Sequence, residues 1–202
     1  MEGKMKNRYI MIRAEENADW RTVPELTLDQ ILWEPDCGIR AGGSICYDDR
    51  NLYVHLYAKE KNIRAEYMLP PAPVHEDSCL EFFMMPEGED RYLNFEINPN
   101  GCLHLGFGPN RQERENALPQ DPKEAFRIRT ARTPDGWEAD YRIPVQFLRR
   151  FYPAFECSGK LYANVYKCGD KTVHPHYLTW NPVASAVPDY HRPECFGEML
   201  FG

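Results

Sequence analysis

The chain of 202 residues sets 24 lysines and arginines against 31 aspartates and glutamates, a formal net charge of −7. That balance argues against a nucleic-acid partner, whose electrostatic footprint is basic, and no apolar run reaches the ~18 residues of a membrane-spanning helix. Seventeen prolines spread along the sequence work against long helices, since an interior proline costs a helix ~3 kcal/mol.

The N-terminal stretch has no signal-peptide core: the apolar run at 9–12 stops at Arg13, short of the ~7–15 residues required. A cytoplasmic location is therefore expected. Strands are predicted over 44–47 and 52–59, flanking the polar turn Asp48-Asp49-Arg50-Asn51. After the proline cluster at 70–73 come strands at 78–85 and 92–98, separated by a loop at 86–90. Asn98-Pro99-Asn100-Gly101 is a strong turn signal, and 102–107 returns as its partner strand. A further hairpin joins 125–132 to 136–143 through Thr133-Pro134-Asp135-Gly136. Pro144 opens a short helix at 145–151, and strands at 160–167, 177–180 and 198–201 complete the series. Many short strands with regular turn signals predict an all-β fold, an antiparallel β-sandwich of two sheets with one or two short helices, as a single domain over 1–202.

Alternation assigns the faces of these strands. Leu80, Phe82 and Met84, then Leu93, Phe95 and Ile97, then Leu161, Ala163 and Val165 share an apolar face. The opposite face mixes Phe83, Tyr92, Tyr162 and Tyr166 with Glu81, Asn94, Glu96 and Asn164. Rings that stack on C–H surfaces beside fixed hydrogen-bonding groups suit a sugar; an ordinary solvated sheet face accounts for the pattern equally well. The seven cysteines are odd in number and hold no C-x-x-C, so free thiols are expected and no closely spaced zinc-ligand pair is found.

The blocks Glu76-Asp77-Ser78-Cys79-Leu80-Glu81-Phe82-Phe83 and Tyr92-Leu93-Asn94-Phe95-Glu96-Ile97-Asn98-Pro99-Asn100-Gly101 resemble the family-nine carbohydrate-binding modules and their DOMON-like relatives. So do Trp137 leading to Ile143-Pro144, Ala163-Asn164-Val165-Tyr166, Tyr177-Leu178-Thr179-Trp180-Asn181-Pro182, and Phe196-Gly197-Glu198-Met199-Leu200-Phe201. They occur in the family's order from about Trp20 to the end. The resemblance implies a β-sandwich that binds a saccharide without cutting it, two tryptophans clamping a terminal sugar and a strand glutamate accepting from its hydroxyls. The glutamate falls on Glu81 and the later tryptophan on Trp180. The earlier tryptophan falls on His75, and an amide three positions before the second tryptophan falls on Tyr177.

The expected ligand-binding set is thus His75, Glu81, Glu96, Arg111, Arg114, Asn164, Tyr166, Tyr177 and Trp180. Here the two arginines fork onto acidic groups of the saccharide. No catalytic residue, no metal ligand and no cofactor is expected, apart from a structural calcium at Asp48, Asp49 or the acids of 87–90, which the resemblance allows. Three alternatives stand beside this reading. His174, His176 and His191, with Asp170 and Asp189 nearby, can ligate a metal or a haem. Glu81 and Glu96, facing the same way on neighbouring strands, can serve a glycoside-processing enzyme. The aromatic face can also dock a protein partner.

Overall fold

Turn chemistry sets the framework. Asp48 Oδ1 accepts from the backbone N–H groups of Arg50 and Asn51, both at 2.7 Å. Asn98 Oδ1 does the same for Asn100 and Cys102, both at 3.0 Å, and Gly101 takes φ 74°, a left-handed value that suits glycine. The computed structural model describes residues 6–14 and 19–202. Its strands are β1 (Arg8–Arg13), β2 (Leu26–Thr27), β3 (Gln30–Ile31), β4 (Arg40–Tyr47), β5 (Asn51–Lys59), β6 (Cys79–Pro86), β7 (Tyr92–Ile97), β8 (Leu103–Gly108), β9 (Glu115–Asn116), β10 (Arg129–Thr133), β11 (Gly136–Pro144), β12 (Lys160–Cys168), β13 (Tyr177–Thr179) and β14 (Gly197–Phe201). Two single-turn helices, α1 (Pro122–Ala125) and α2 (Val145–Leu148), interrupt them.

The strands form a β-sandwich. One sheet runs β10-β11-β5-β4, with β2 on β4; the other runs β14-β12-β6-β7-β8-β9, with β13 on β12 and β3 on β13. Strand β1 joins them, parallel to β14 over residues 8–11 and parallel to β4 over Ile12 and Arg13. These two parallel pairings join sheets whose other pairings are antiparallel, as expected. They arise because one short strand passes from one sheet edge to the other. The apolar faces of β6, β7 and β12 meet those of β4, β5 and β11 in the main core, where Phe95 stacks on Tyr141 at 6.1 Å.

Two boundaries differ from the sequence reading. Asp121 caps α1 by accepting from Glu124 N–H, with proline at the first helical position, so β10 starts at Arg129 rather than near 125. Helix α2 makes one turn rather than two. A larger difference concerns the polar-aromatic face. Phe83, Tyr92 and Tyr166 are fully buried, in a second core with Cys79, Cys168, Tyr190 and Phe196. The segment between β13 and β14 folds back over that face. So much ring surface is too apolar to leave in water, at roughly 25 cal/mol per Å².

An ion pair lies between the sheets. Lys167, fully buried on the core side of β12, meets Glu60, just past β5, at 3.2 Å. Glu60 also accepts from Trp137 Nε1 at 3.1 Å and Ser78 Oγ at 2.7 Å. Lys167 in turn reaches His176 Nε2 at 2.6 Å. The pair is fully hydrogen-bonded, the condition under which a buried charge is tolerated.

Candidate functional site

The part of the second face that the folded-back segment leaves open is a cavity of about 390 Å³, a size usual for a small-ligand pocket. Its floor is a row across β6, β7 and β8, in which register places Glu81 against Glu96 and Glu96 against His104, with the buried Tyr166 of β12 beside Glu81. Glu81 and Glu96 are buried yet line the cavity. Burial first, and the facing Glu96 carboxylate second, push Glu81 well above the ordinary carboxylate range. Burial raises Glu96 as well, and Arg114 pulls it back.

Two arginines arrive from the loop after β8. Arg114 Nη1 lies 3.8 Å from Glu96 Oε1; Asn94 Nδ2 donates to the same oxygen at 2.7 Å. The Arg114 side chain crosses Gly106, where a Cβ would stand 2.7 Å from Asn94 Oδ1 and 3.5 Å from Arg114 Cδ. Arg114 Nη1 is buried without a hydrogen-bond partner of its own, so it has donor capacity to offer a guest. Arg111, at the rim, lies 4.0 Å from Asp189.

On the wall, His75 belongs to a turn clamped to the end of β12, its carbonyl accepting from Asp170 N–H at 3.0 Å. Burial raises Asp170, and the His75 charge opposes that rise. Opposite stand Trp33, Tyr177 and Tyr190, with ring centroids 5.3 Å apart for Trp33–Tyr177 and 5.4 Å for Trp33–Tyr190. Trp33 Nε1 donates to the Ser185 carbonyl at 2.8 Å, pinning the loop after β3 to the folded-back segment. Its backbone holds φ 59°, a left-handed conformation that costs a bulky residue about 1–3 kcal/mol and concentrates at functional sites. His191 closes the far side. Its ring tilts against Phe83 at 5.1 Å and meets Tyr92 Oη at 2.9 Å, and burial with the nearby Arg114 and Arg111 charges pushes it far below the usual histidine value.

Six of the nine expected residues line this cavity: His75, Glu81, Glu96, Arg111, Arg114 and Tyr177. Three do not. Trp180 points into the main core, its ring against Gly197. Positions 177 and 180, three apart on one extended segment, face opposite ways, so Tyr177 reaches the cavity and Trp180 cannot. Asn164 is fully buried and ties β12 to the segment just after β13, donating to Asn181 O at 2.9 Å and accepting from Asn181 N–H at 2.9 Å. Tyr166 lies under Tyr190, stacked at 4.0 Å with the planes 14° apart.

The three histidines of the metal alternative are dispersed. His176 is buried against Lys167, exposed His174 borders a different cavity with Cys37 and Glu60, and only His191 reaches the main one. The Asp48 carboxylate is engaged by its own turn and by Tyr53 Oη at 2.8 Å; Asp49 pairs with Arg13. Trp33 and His104 are the wall and floor residues that strand patterns did not reveal. The only local signal for Trp33 was an aromatic in a Pro-flanked loop, which by itself marks nothing.

A family model described as carbohydrate-binding family 9 matches residues 11–201. No match was found among curated proteins. Among solved structures, a candidate carbohydrate-binding protein from Bacteroides uniformis ATCC 8492 is similar with a TM-score of 0.85 and 27% identity, over 98% of this chain and 100% of that one. A family 9 carbohydrate-binding module from Caldicellulosiruptor kristjanssonii shares the fold at 13% identity with a TM-score of 0.68. Its cellotriose complex is covered over 96% of this chain and 93% of that one, and its glucose complex over 97% and 96%.

Proposed function

The chain belongs to carbohydrate-binding family 9, and from that membership and the shape of the cleft we propose that it binds a saccharide between the Trp33–Tyr177 wall and His75, over the Glu81–Glu96 floor. The observation that carries this reading is the convergence of two buried carboxylates, a half-buried guanidinium with an unused donor and an aromatic wall on one cavity. A pyranose presents alternating C–H and hydroxyl surface, and such a site answers each part: rings for the former, charged hydrogen-bonding groups for the latter. The saccharide complexes of the structurally similar module support the ligand class. That module's sugar is not carried over in detail, because Trp180 is part of the core here and the wall is built from Trp33 instead.

Within this reading Arg114 and Arg111 select for acceptor-rich sugars, and the Glu81–Glu96 pair holds hydroxyl donors. Isothermal titration of the full chain with glucose, cello-oligosaccharides and uronic-acid oligosaccharides tests it. Saturable heat with at least one of them, reduced in Arg114→Ala, is expected. Absence of heat and of any change in tryptophan emission with every sugar overturns it.

A further inference from the structure

Cys79 and Cys168 are far apart in sequence, but the β6–β12 register sets them opposite one another. Both side chains point to the cleft face, as does Glu81 two residues further along β6. The two Sγ atoms and a Glu81 carboxylate oxygen lie within 4.8 Å of one another, and all three residues are buried. The Cys168 thiol donates to Glu81 Oε1 at 2.9 Å. Cys168 and Glu81 also line the cavity, so one side of this trio opens to it.

Two thiols and one carboxylate are a donor set for a borderline-soft divalent cation. With Zn–S bonds of ~2.3 Å and Zn–O bonds of ~2.0–2.2 Å, tetrahedral donors stand roughly 3.6–3.8 Å apart. The trio reaches that spacing if the sulfurs close by at most about 1 Å and the thiol–carboxylate contact opens by roughly 0.7 Å. Side-chain torsions supply shifts of this size without moving the strands.

The electrostatics point the same way. Cys79, Cys168 and Glu81 are all buried, and Glu81 lies beside a second buried carboxylate, Glu96. The floor is short of positive charge at this spot, since Arg114 is turned toward Glu96. A divalent ion would supply it, displacing one proton from each thiol as the two S–metal bonds form, and the Glu81 proton, where the carboxyl holds one, as the O–metal bond forms.

We propose that Cys79, Cys168 and Glu81 are a three-ligand site for a thiophilic divalent cation of the Zn²⁺ class, with the fourth coordination position facing the cleft. Three protein ligands and an open position are the arrangement that leaves a metal accessible to water or to a guest molecule. This site does not depend on saccharide binding, and its test uses no sugar.

The test is anaerobic titration of the reduced full chain with Co²⁺, followed by displacement with Zn²⁺. A thiolate-to-cobalt charge-transfer band that saturates at one equivalent is expected, with one proton released from each thiol and a third where Glu81 is protonated, and with two sulfur ligands counted by X-ray absorption. Cys79→Ser and Cys168→Ser should each weaken binding by more than the ~10–100-fold that loss of an outer partner costs. Cys37→Ser, which alters an exposed thiol, should change nothing. If a serine variant fails to fold by circular dichroism, the sulfur count on the wild type and the weaker binding of Glu81→Gln carry the test. No charge-transfer band, a band that survives both cysteine variants, or a Cys79–Cys168 disulfide whose reduced form takes up no cobalt would overturn the site. Calorimetry with sugars on metal-free protein reads the saccharide proposal separately.

Discussion

Glu81 and Glu96 face one another across β6 and β7, both buried, at the floor of the cleft. Two carboxylates so placed cannot both ionise cheaply, and the consequence for stability has a definite sign. Glu81 keeps its proton in the folded chain at pH values where the unfolded chain has already lost it. Folded protein therefore binds more protons than unfolded, and stability falls as pH rises from the ordinary value of 4.5 toward the raised one. Glu81→Gln keeps the acceptor for the Cys168 thiol and removes the charge. The variant is expected to have a higher urea midpoint than the wild type at neutral pH, with the difference vanishing near pH 4.5. Parallel pH profiles for the two proteins would contradict this.

The Lys167–Glu60 pair is the buried bridge between the sheets, with both side chains inaccessible. Lys167→Met leaves the Glu60 carboxylate without its cation, a change that costs about 3–5 kcal/mol. Lys167→Met combined with Glu60→Gln should recover a large part of that loss, because no uncompensated charge remains. Chemical denaturation of the two single variants and the double variant reads the coupling directly.

His176 gives the opposite pH dependence from Glu81. Burial, and then the Lys167 charge, lower it from 6.5 to about 4. Between these values the unfolded chain takes up a proton that the folded chain refuses, so stability drops as pH falls through the window. In His176→Gln the slope of stability against pH from 6.5 down to 4 should be shallower by close to one proton. Unfolding midpoints at stepped pH values measure it.

Trp33 and Trp180 separate binding from packing. Trp180→Ala empties a core position against Gly197 and is expected to cost about 3–5 kcal/mol of stability. Trp33→Ala removes a half-buried wall rather than a core side chain, so it costs less stability than Trp180→Ala. Its saccharide affinity should fall roughly tenfold or more, about 1.4 kcal/mol. Calorimetry paired with denaturation discriminates the two; a binding loss confined to Trp180→Ala would place the ligand elsewhere.

Much of this organisation is written locally. The period-two patterns of 79–84, 92–98 and 161–166 assign the core faces, and those residues lie in the main core as the alternation requires. Asp48 and Asn98 announce their turns through their own side chains. By contrast, β1 carries the apolar run at 9–12, too short to stand out from its surroundings, and becomes a strand through the two sheet edges that flank it. Tyr177 and Trp180 both looked like ligand contacts when matched position by position to a family pattern. Strand geometry admits only one of them to the cleft.

The sequence by itself determined an all-β, two-faced chain, because side-chain alternation and turn-forming residues act over a few positions; its carbohydrate-binding type is legible only through the resemblance of its motif blocks to the family. Tertiary structure decided how much of the polar-aromatic face stays open. The segment before β14 buries Phe83, Tyr92 and Tyr166 and leaves only a cleft, and the acidic surplus noted at the outset concentrates in part at its floor, opposed by Arg114. The spread of cysteines without close spacing excluded a local metal motif, yet β6–β12 register brings Cys79 to Cys168. Register and chain crossover depend on contacts between distant segments, and no local pattern encodes them.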